Sequence, residues 1–115
     1  MHDYPATQCA LAKVVRRGDV DVAERFELYL GPLELANGYH ELTDAAEQRR
    51  RFERDHAVRA AREAVRPPFD EALLDALATG MPVCSGVAVG IDRLLMAMQD
   101  TPRIADVLAF DFNSA

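Results

Sequence analysis

Hydrophobic and polar residues alternate from Val22 to Leu30, VAERFELYL, with Phe26, Leu28 and Leu30 on one side and Arg25, Glu27 and Tyr29 on the other. A period of two is that of a β-strand with one buried face, and the apolar residues predict which face it is. Gly31-Pro32 then turns the chain, and Leu33 to Leu42 is expected to run back as an antiparallel partner. Before this strand, Met1 to Lys13 shows neither a helix cap nor a clean strand pattern and reads as a loop in which Pro5 holds Tyr4 extended. Val14 to Asp21 carries a Gly18-Asp19 turn signal among charged residues and reads as a surface loop.

Asp44 followed by Glu47 marks a helix start, because the Asp oxygen can accept from early helical N–H groups while the Glu reaches back. The helix is expected to run to about Val65, exposed, with Glu47 and Arg51 paired at i,i+4 and Pro67-Pro68 ending it. Its arginines invite a nucleic-acid reading, but Glu53, Asp55 and Glu63 are interspersed, and a solvated salt-bridged face accounts for them better. Asp70 to Leu77 reads as a short amphipathic helix closed by Gly80 and Pro82. Cys84 to Val89 is a small-residue strand, with Gly86 and Gly90 leaving room for another backbone or a flat ring. After Gly90, Ile91 and LLMAM are apolar on every side and predict a buried helix. Thr101 to Ala115 adds a short helical stretch and an extended tail in which Phe110 and Phe112 alternate as in an edge strand.

Size and charge narrow the classes. The chain has 115 residues, half of them hydrophobic, enough for one domain with a packed core. Nineteen acidic residues against thirteen basic ones leave a net charge of -6, which argues against a surface devoted to polyanions. Lys13 is the only lysine. Cys9 and Cys84 form no CxxC and have no His at metal-ligand spacing, so a zinc site is not expected and a reduced, cytosolic thiol pair is; a disulfide between them stays open. No apolar run approaches the ~20 residues that cross a bilayer, and the N-terminus lacks the regions of a signal peptide.

The stretch richest in chemistry is GPLELANGYHELTD, Gly31 to Asp44. Glu34 and Glu41 are seven apart and face opposite ways on an unbroken strand; a bulge at Asn37-Gly38 would return both to one face. Two carboxylates there call for a divalent metal or a ligand ammonium between them. Asn37-Gly38 also reads as a hairpin turn, with the two glutamates on separate solvated strands. Arg93 falls in the first turn of the last helix, beside the positive end of its dipole, and requires an anion. Asp92, Asp111 or one of the paired glutamates would make it a structural salt bridge; a phosphate, gripped through two N–H groups, would make it a binding site.

FELYLGPLELANGYHELTDAAEQ and GMPVCSGVAVGIDRLLMAM together resemble the C-terminal part of the catalytic domain of class II aminoacyl-tRNA synthetases, in particular the lysine branch. GVAVGIDRL is similar to the third class-defining motif, at about 84–98, and ELANGYHELTD to the segment that serves metal-ATP and lysine. HDYPATQCALAK resembles the loop that precedes it, so the likeness covers nearly the whole chain. The His of GYHELTD and the PVCSG lead-in are closest to the paralogues that aminoacylate elongation factor P. The resemblance implies an α+β fold, a class II antiparallel sheet flanked by helices, cytoplasmic and in a homo-oligomer. It implies that Glu34 and the Leu35 backbone contact ATP, with Glu34 and Glu41 near its magnesium. It places Asn37, Gly38 and Tyr39 in the amino-acid pocket, Glu41 on the ammonium of lysine or β-lysine, Gly90 beneath adenine, and Arg93 along the phosphates. Glu34 and Arg93 would be the catalytic groups.

The family pattern also has a long interface helix and a second motif with an α-phosphate arginine, and neither precedes Met1. The chain is therefore expected to supply part of a pocket and to form lysyl-adenylate poorly alone. Three readings follow: part of an elongation factor P lysyltransferase, part of a true lysyl-tRNA synthetase acting on lysine tRNA, or a non-catalytic interaction protein that keeps the fold.

Overall fold

Val20–Leu30 forms the longest strand, β3, and the sheet is assembled around it. The computed structural model describes residues 1–111. It divides into two compact units: Met1–His40 with the described part of Ser85–Ala115, and Glu41–Cys84.

In the first unit, β1 (His2–Pro5), β2 (Val14–Arg17), β3, β4 (Leu33–His40) and β5 (Ser85–Val89) form one antiparallel sheet. The order is β1-β3-β4-β5, with β2 also paired to β3. Gly31 takes a left-handed φ of +55° in the turn between β3 and β4, a conformation that costs a residue without Cβ little. The two segments read as loops are partly strand. Tyr4 pairs with Ala23, and Val14 to Arg17 pair with β3 across the Gly18-Asp19 turn. Such short strands carry little pattern of their own and are held by the partner they dock on.

Burial on β3 is the reverse of the expectation at Arg25 and Glu27, while Tyr29 stays exposed. Arg25, Glu27 and Tyr29 stand opposite Tyr39, Asn37 and Glu34 of β4, and Glu27 is only 8% exposed. Phe26 and Leu28 on the other face are 43% and 55% exposed, and Val87 and Val89 of β5 are exposed as well. The tightest cluster, Tyr4, Ala12 and Ala23, with Cys9, Val14 and Tyr39 against it, lies at the polar face's end of the sheet.

The bulge also falls elsewhere. Tyr29 pairs with Glu34 and Leu28 with Ala36, so the extra residue is Leu35. Asn37 and Gly38 pair regularly with β3 on one side and β5 on the other, and form neither bulge nor turn. Gly38 serves close packing instead: a Cβ there would stand 2.3 Å from Cε1 of Phe26 and 3.1 Å from the carbonyl oxygen of Gly86.

Helix α3 (Ile91–Gln99) follows β5. It is not hidden all round: Met96 is buried, while Ile91 and Met98 are exposed. A short 3-10 turn, Ile104–Asp106, comes next, and Phe110 lies in a bend rather than a strand. Phe112 lies outside the described residues.

The second unit holds α1 (Ala45–Ala61) and α2 (Glu71–Thr79). Asp44 accepts from the Glu47 N–H at 3.0 Å and Asp70 from the Leu73 N–H at 2.9 Å, satisfying donors the helices leave open. Glu47 does not reach back; it gathers Arg50 and Arg51 at 3.0 Å and Arg54 at 3.7 Å. Helix α1 ends at Ala61, short of Pro67-Pro68, and buries Gln48 and Arg51. Arg49 crosses to Glu71 at 2.6 Å, and His56 and Phe52 lie against Phe69. Leu74 and Leu77 are the buried face of α2. No helix among the described residues is long and apolar enough to cross a membrane.

Candidate functional site

The bulge at Leu35 prepares the meeting of β4 with α3. In a regular strand successive carbonyls point to opposite sides; an inserted residue breaks that alternation. Here the Leu35 carbonyl accepts from the Gly90 N–H at 2.9 Å, and the preceding Glu34 carbonyl accepts from Arg93 Nη1 at 2.8 Å. The Glu34 carboxylate lies 3.6 Å from the same nitrogen. Gly90 is the N-cap of α3, and a Cβ on it would press within 3.3 Å of Arg93 Cδ. The arginine side chain therefore lies close over the Gly90 backbone, near enough that a side chain there would have to push it aside. Of the anions foreseen for Arg93, the one it meets is Glu34.

On the same face of the sheet, Arg25 reaches three acceptors: Asn37 Oδ1 at 3.3 Å, the Gln8 carbonyl at 3.0 Å, and the Glu27 carboxylate. Its guanidinium carbon lies 4.6 Å from the Tyr4 ring centre and 5.7 Å from that of Tyr39. Asn37 Nδ2 donates to the Tyr39 hydroxyl at 2.8 Å. Glu27 accepts from Tyr4 at 2.7 Å and from Tyr29. Those two phenols, ahead of the Arg25 charge, hold the Glu27 carboxyl below the usual range. Burial first, and then the bond to Glu27, pushes Tyr4 up to about 12. Tyr29 is raised by its bond to Glu27 and, further down, by the charge of Glu34.

The first unit thus brings together Glu34, Leu35, Gly90 and Arg93, with Asn37 and Tyr39 on the face that carries Glu34. Gly38 does not belong to that face; its α-carbon is turned toward Phe26. Glu41 opens the second unit, where its N–H donates to the Cys84 carbonyl at 3.0 Å. Arg25, Glu27, Tyr4 and Tyr29 were not foreseen in a site. The alternation of β3 places Arg25, Glu27 and Tyr29 on one face, and only the packing shows that Glu27 there is buried. Among the described residues no group of three or more His, Cys, Asp or Glu could enclose a metal. Cys9 and Cys84 are both free thiols, each partly buried.

The sequence that folds into this sheet and helix matches a known family. The family model of class II tRNA synthetases (D, K and N) covers residues 1–114, and the chain belongs to that family. It is 53% identical over all 115 residues to the elongation factor P–(R)-β-lysine ligases of Salmonella arizonae and Salmonella dublin, and 52% identical to that of Salmonella paratyphi B. In each case it spans 35% of the relative's length.

Proposed function

We propose that this chain contributes an ATP- and amino-acid-binding face to a ligase that activates lysine or β-lysine as an adenylate for transfer to elongation factor P. The observation that carries the reading is the convergence of Arg93 and Gly90 on two successive residues, Glu34 and Leu35. A guanidinium at a helix N-terminus is a site for an anion, and Arg93 is half-exposed, so its pairing with Glu34 leaves donors for a triphosphate. The relatives' names favour elongation factor P over lysine tRNA as the acceptor.

In this reading Glu34 and the Leu35 backbone contact ATP, Gly90 passes under the adenine, and Arg93 lies along the phosphates. Asn37 and Tyr39 line the amino-acid side. Magnesium typically keeps one or two carboxylates and shares phosphate oxygens, rather than sitting in an all-protein cage. Glu34 offers one such carboxylate, partly exposed beside the guanidinium that would meet the phosphates. Bound there, magnesium would neutralise phosphate charge. The reaction needs no nucleophilic side chain. The amino-acid carboxylate attacks the α-phosphorus, an O–P bond forms, and pyrophosphate leaves as the bond to it breaks, with Arg93 stabilising the charge it carries away. A cytoplasmic location and a homo-oligomer go with this reading.

Calorimetric titration of the purified chain tests it. Magnesium-dependent, saturable ATP binding that is lost in Arg93→Ala is the expected result. Equal binding by the variant, or none by the unaltered chain, sinks it. Capture of purified elongation factor P in preference to lysine tRNA is the expected outcome for the acceptor.

A further inference from the structure

One side chain on the polar face makes more directed contacts than any function assigned above requires. We propose that Arg25 is the positioning residue of the amino-acid side: it fixes the sense of the Asn37 amide and thereby turns the Tyr39 hydroxyl into a donor facing the substrate. The inference rests on the reading that Asn37 and Tyr39 line the amino-acid pocket.

A guanidinium has donors only. Arg25 Nε lies 3.3 Å from Asn37, so the amide must present its oxygen there and its Nδ2 elsewhere. Nδ2 then donates to the Tyr39 oxygen at 2.8 Å. With its oxygen engaged as an acceptor, the Tyr39 O–H is left to point its hydrogen at a third group. The sequence Arg25, Asn37, Tyr39 is thus a one-way chain of donors ending in a phenolic O–H. Such an end suits an acceptor oxygen, the carboxylate of an amino acid, and not its ammonium.

The guanidinium is itself held against rotation. Nη1 donates to the Gln8 carbonyl at 3.0 Å, Nη2 to Glu27, and the rings of Tyr4 and Tyr39 lie near it. Its side chain is 16% exposed, and Glu27 supplies the countercharge. A lysine would keep the charge and lose both the fork and the ring contacts.

The test uses the full chain with Arg25→Lys, Arg25→Gln and Tyr39→Phe. Lysine, β-lysine and magnesium-ATP are titrated by calorimetry, and the Asn37 side-chain amide is followed by nitrogen-15 NMR without ligand. The expected result is a loss of lysine affinity of tenfold or more in all three, not restored by Arg25→Lys, with ATP affinity within twofold of the unaltered chain. The Asn37 amide signals should move in both Arg25 variants. Parallel losses for lysine and ATP would mark a merely structural role and overturn the assignment. So would unchanged lysine affinity in Tyr39→Phe, which stays informative should the Arg25 variants fail to fold. An unaltered chain that takes up no lysine or β-lysine refutes the functional reading, whereas a stationary Asn37 amide in the Arg25 variants refutes the role of Arg25 itself.

Discussion

Arg93 and Glu34 are 59 positions apart in the chain and meet twice, through the Glu34 carbonyl at 2.8 Å and its carboxylate at 3.6 Å. The first contact fixes where the guanidinium lies; the second leaves it an exchangeable partner. A half-exposed ion pair of this kind contributes little to stability, so the arrangement is better suited to binding than to holding the fold.

Replacing either partner should therefore separate affinity from stability. Arg93→Ala and Glu34→Gln are expected to melt within a few degrees of the unaltered chain. Both should weaken magnesium-ATP binding at least tenfold. Differential scanning fluorimetry and calorimetric titration on the same samples check both halves.

Glu27 should behave in the opposite way. Its carboxylate is nearly buried among Tyr4, Tyr29 and Arg25. Glu27→Gln leaves the Arg25 guanidinium without its countercharge in a poorly hydrated place, a change that destabilises strongly. Its melting temperature is expected to fall well below that of Glu34→Gln. Equal melting of the two would show that the polar face is wetter than its burial implies.

The chain should be acid-labile. The carboxyls of Glu27, bonded by Tyr29 and Tyr4, and of Asp44, bonded by the Glu47 N–H, are held below their ordinary range. So are those of Glu47, beside Arg51, and Glu71, beside Arg49. A folded pKa below the unfolded one adds stability that is complete above about pH 4 to 5 and disappears as the pH falls through the folded values. For Tyr4 the sign is reversed: its raised pKa stabilises the fold below about pH 10, the unfolded value, and that contribution is lost as the pH climbs toward about 12. Thermal melts from pH 2 to 7 and an ultraviolet titration of the phenols check the two limbs.

Gly38→Ala tests the face opposite the site. The new methyl would meet the Phe26 ring and the Gly86 carbonyl; the half-exposed ring can swing away, while the carbonyl belongs to a paired strand. The expected cost is about 1 to 3 kcal/mol, the range for overpacking, with ATP affinity unchanged. A denaturant melt gives the first value and a titration the second.

Much of the local structure was legible because local chemistry decides it. Asp44 and Asp70 announced two helix starts through side chains that satisfy nearby N–H groups. Gly31-Pro32 announced the turn between β3 and β4. Arg93 announced its need for an anion by standing at a helix N-terminus. The strands β1 and β2 carry little pattern of their own because their support comes from β3, and α1 ends at Ala61, before the prolines expected to stop it.

The family and the α+β class were therefore written in motifs and periods, which depend on near neighbours along the chain. The tertiary structure alone decided which face of β3 would be enclosed, that the extra residue of β4 would be Leu35, and that Glu34 would be the partner of Arg93. A period of two distinguishes the two sides of a strand but not the side on which other groups will pack; that choice belongs to Tyr4, Gln8 and Tyr39, gathered around Arg25 and Glu27 by the pairing of strands.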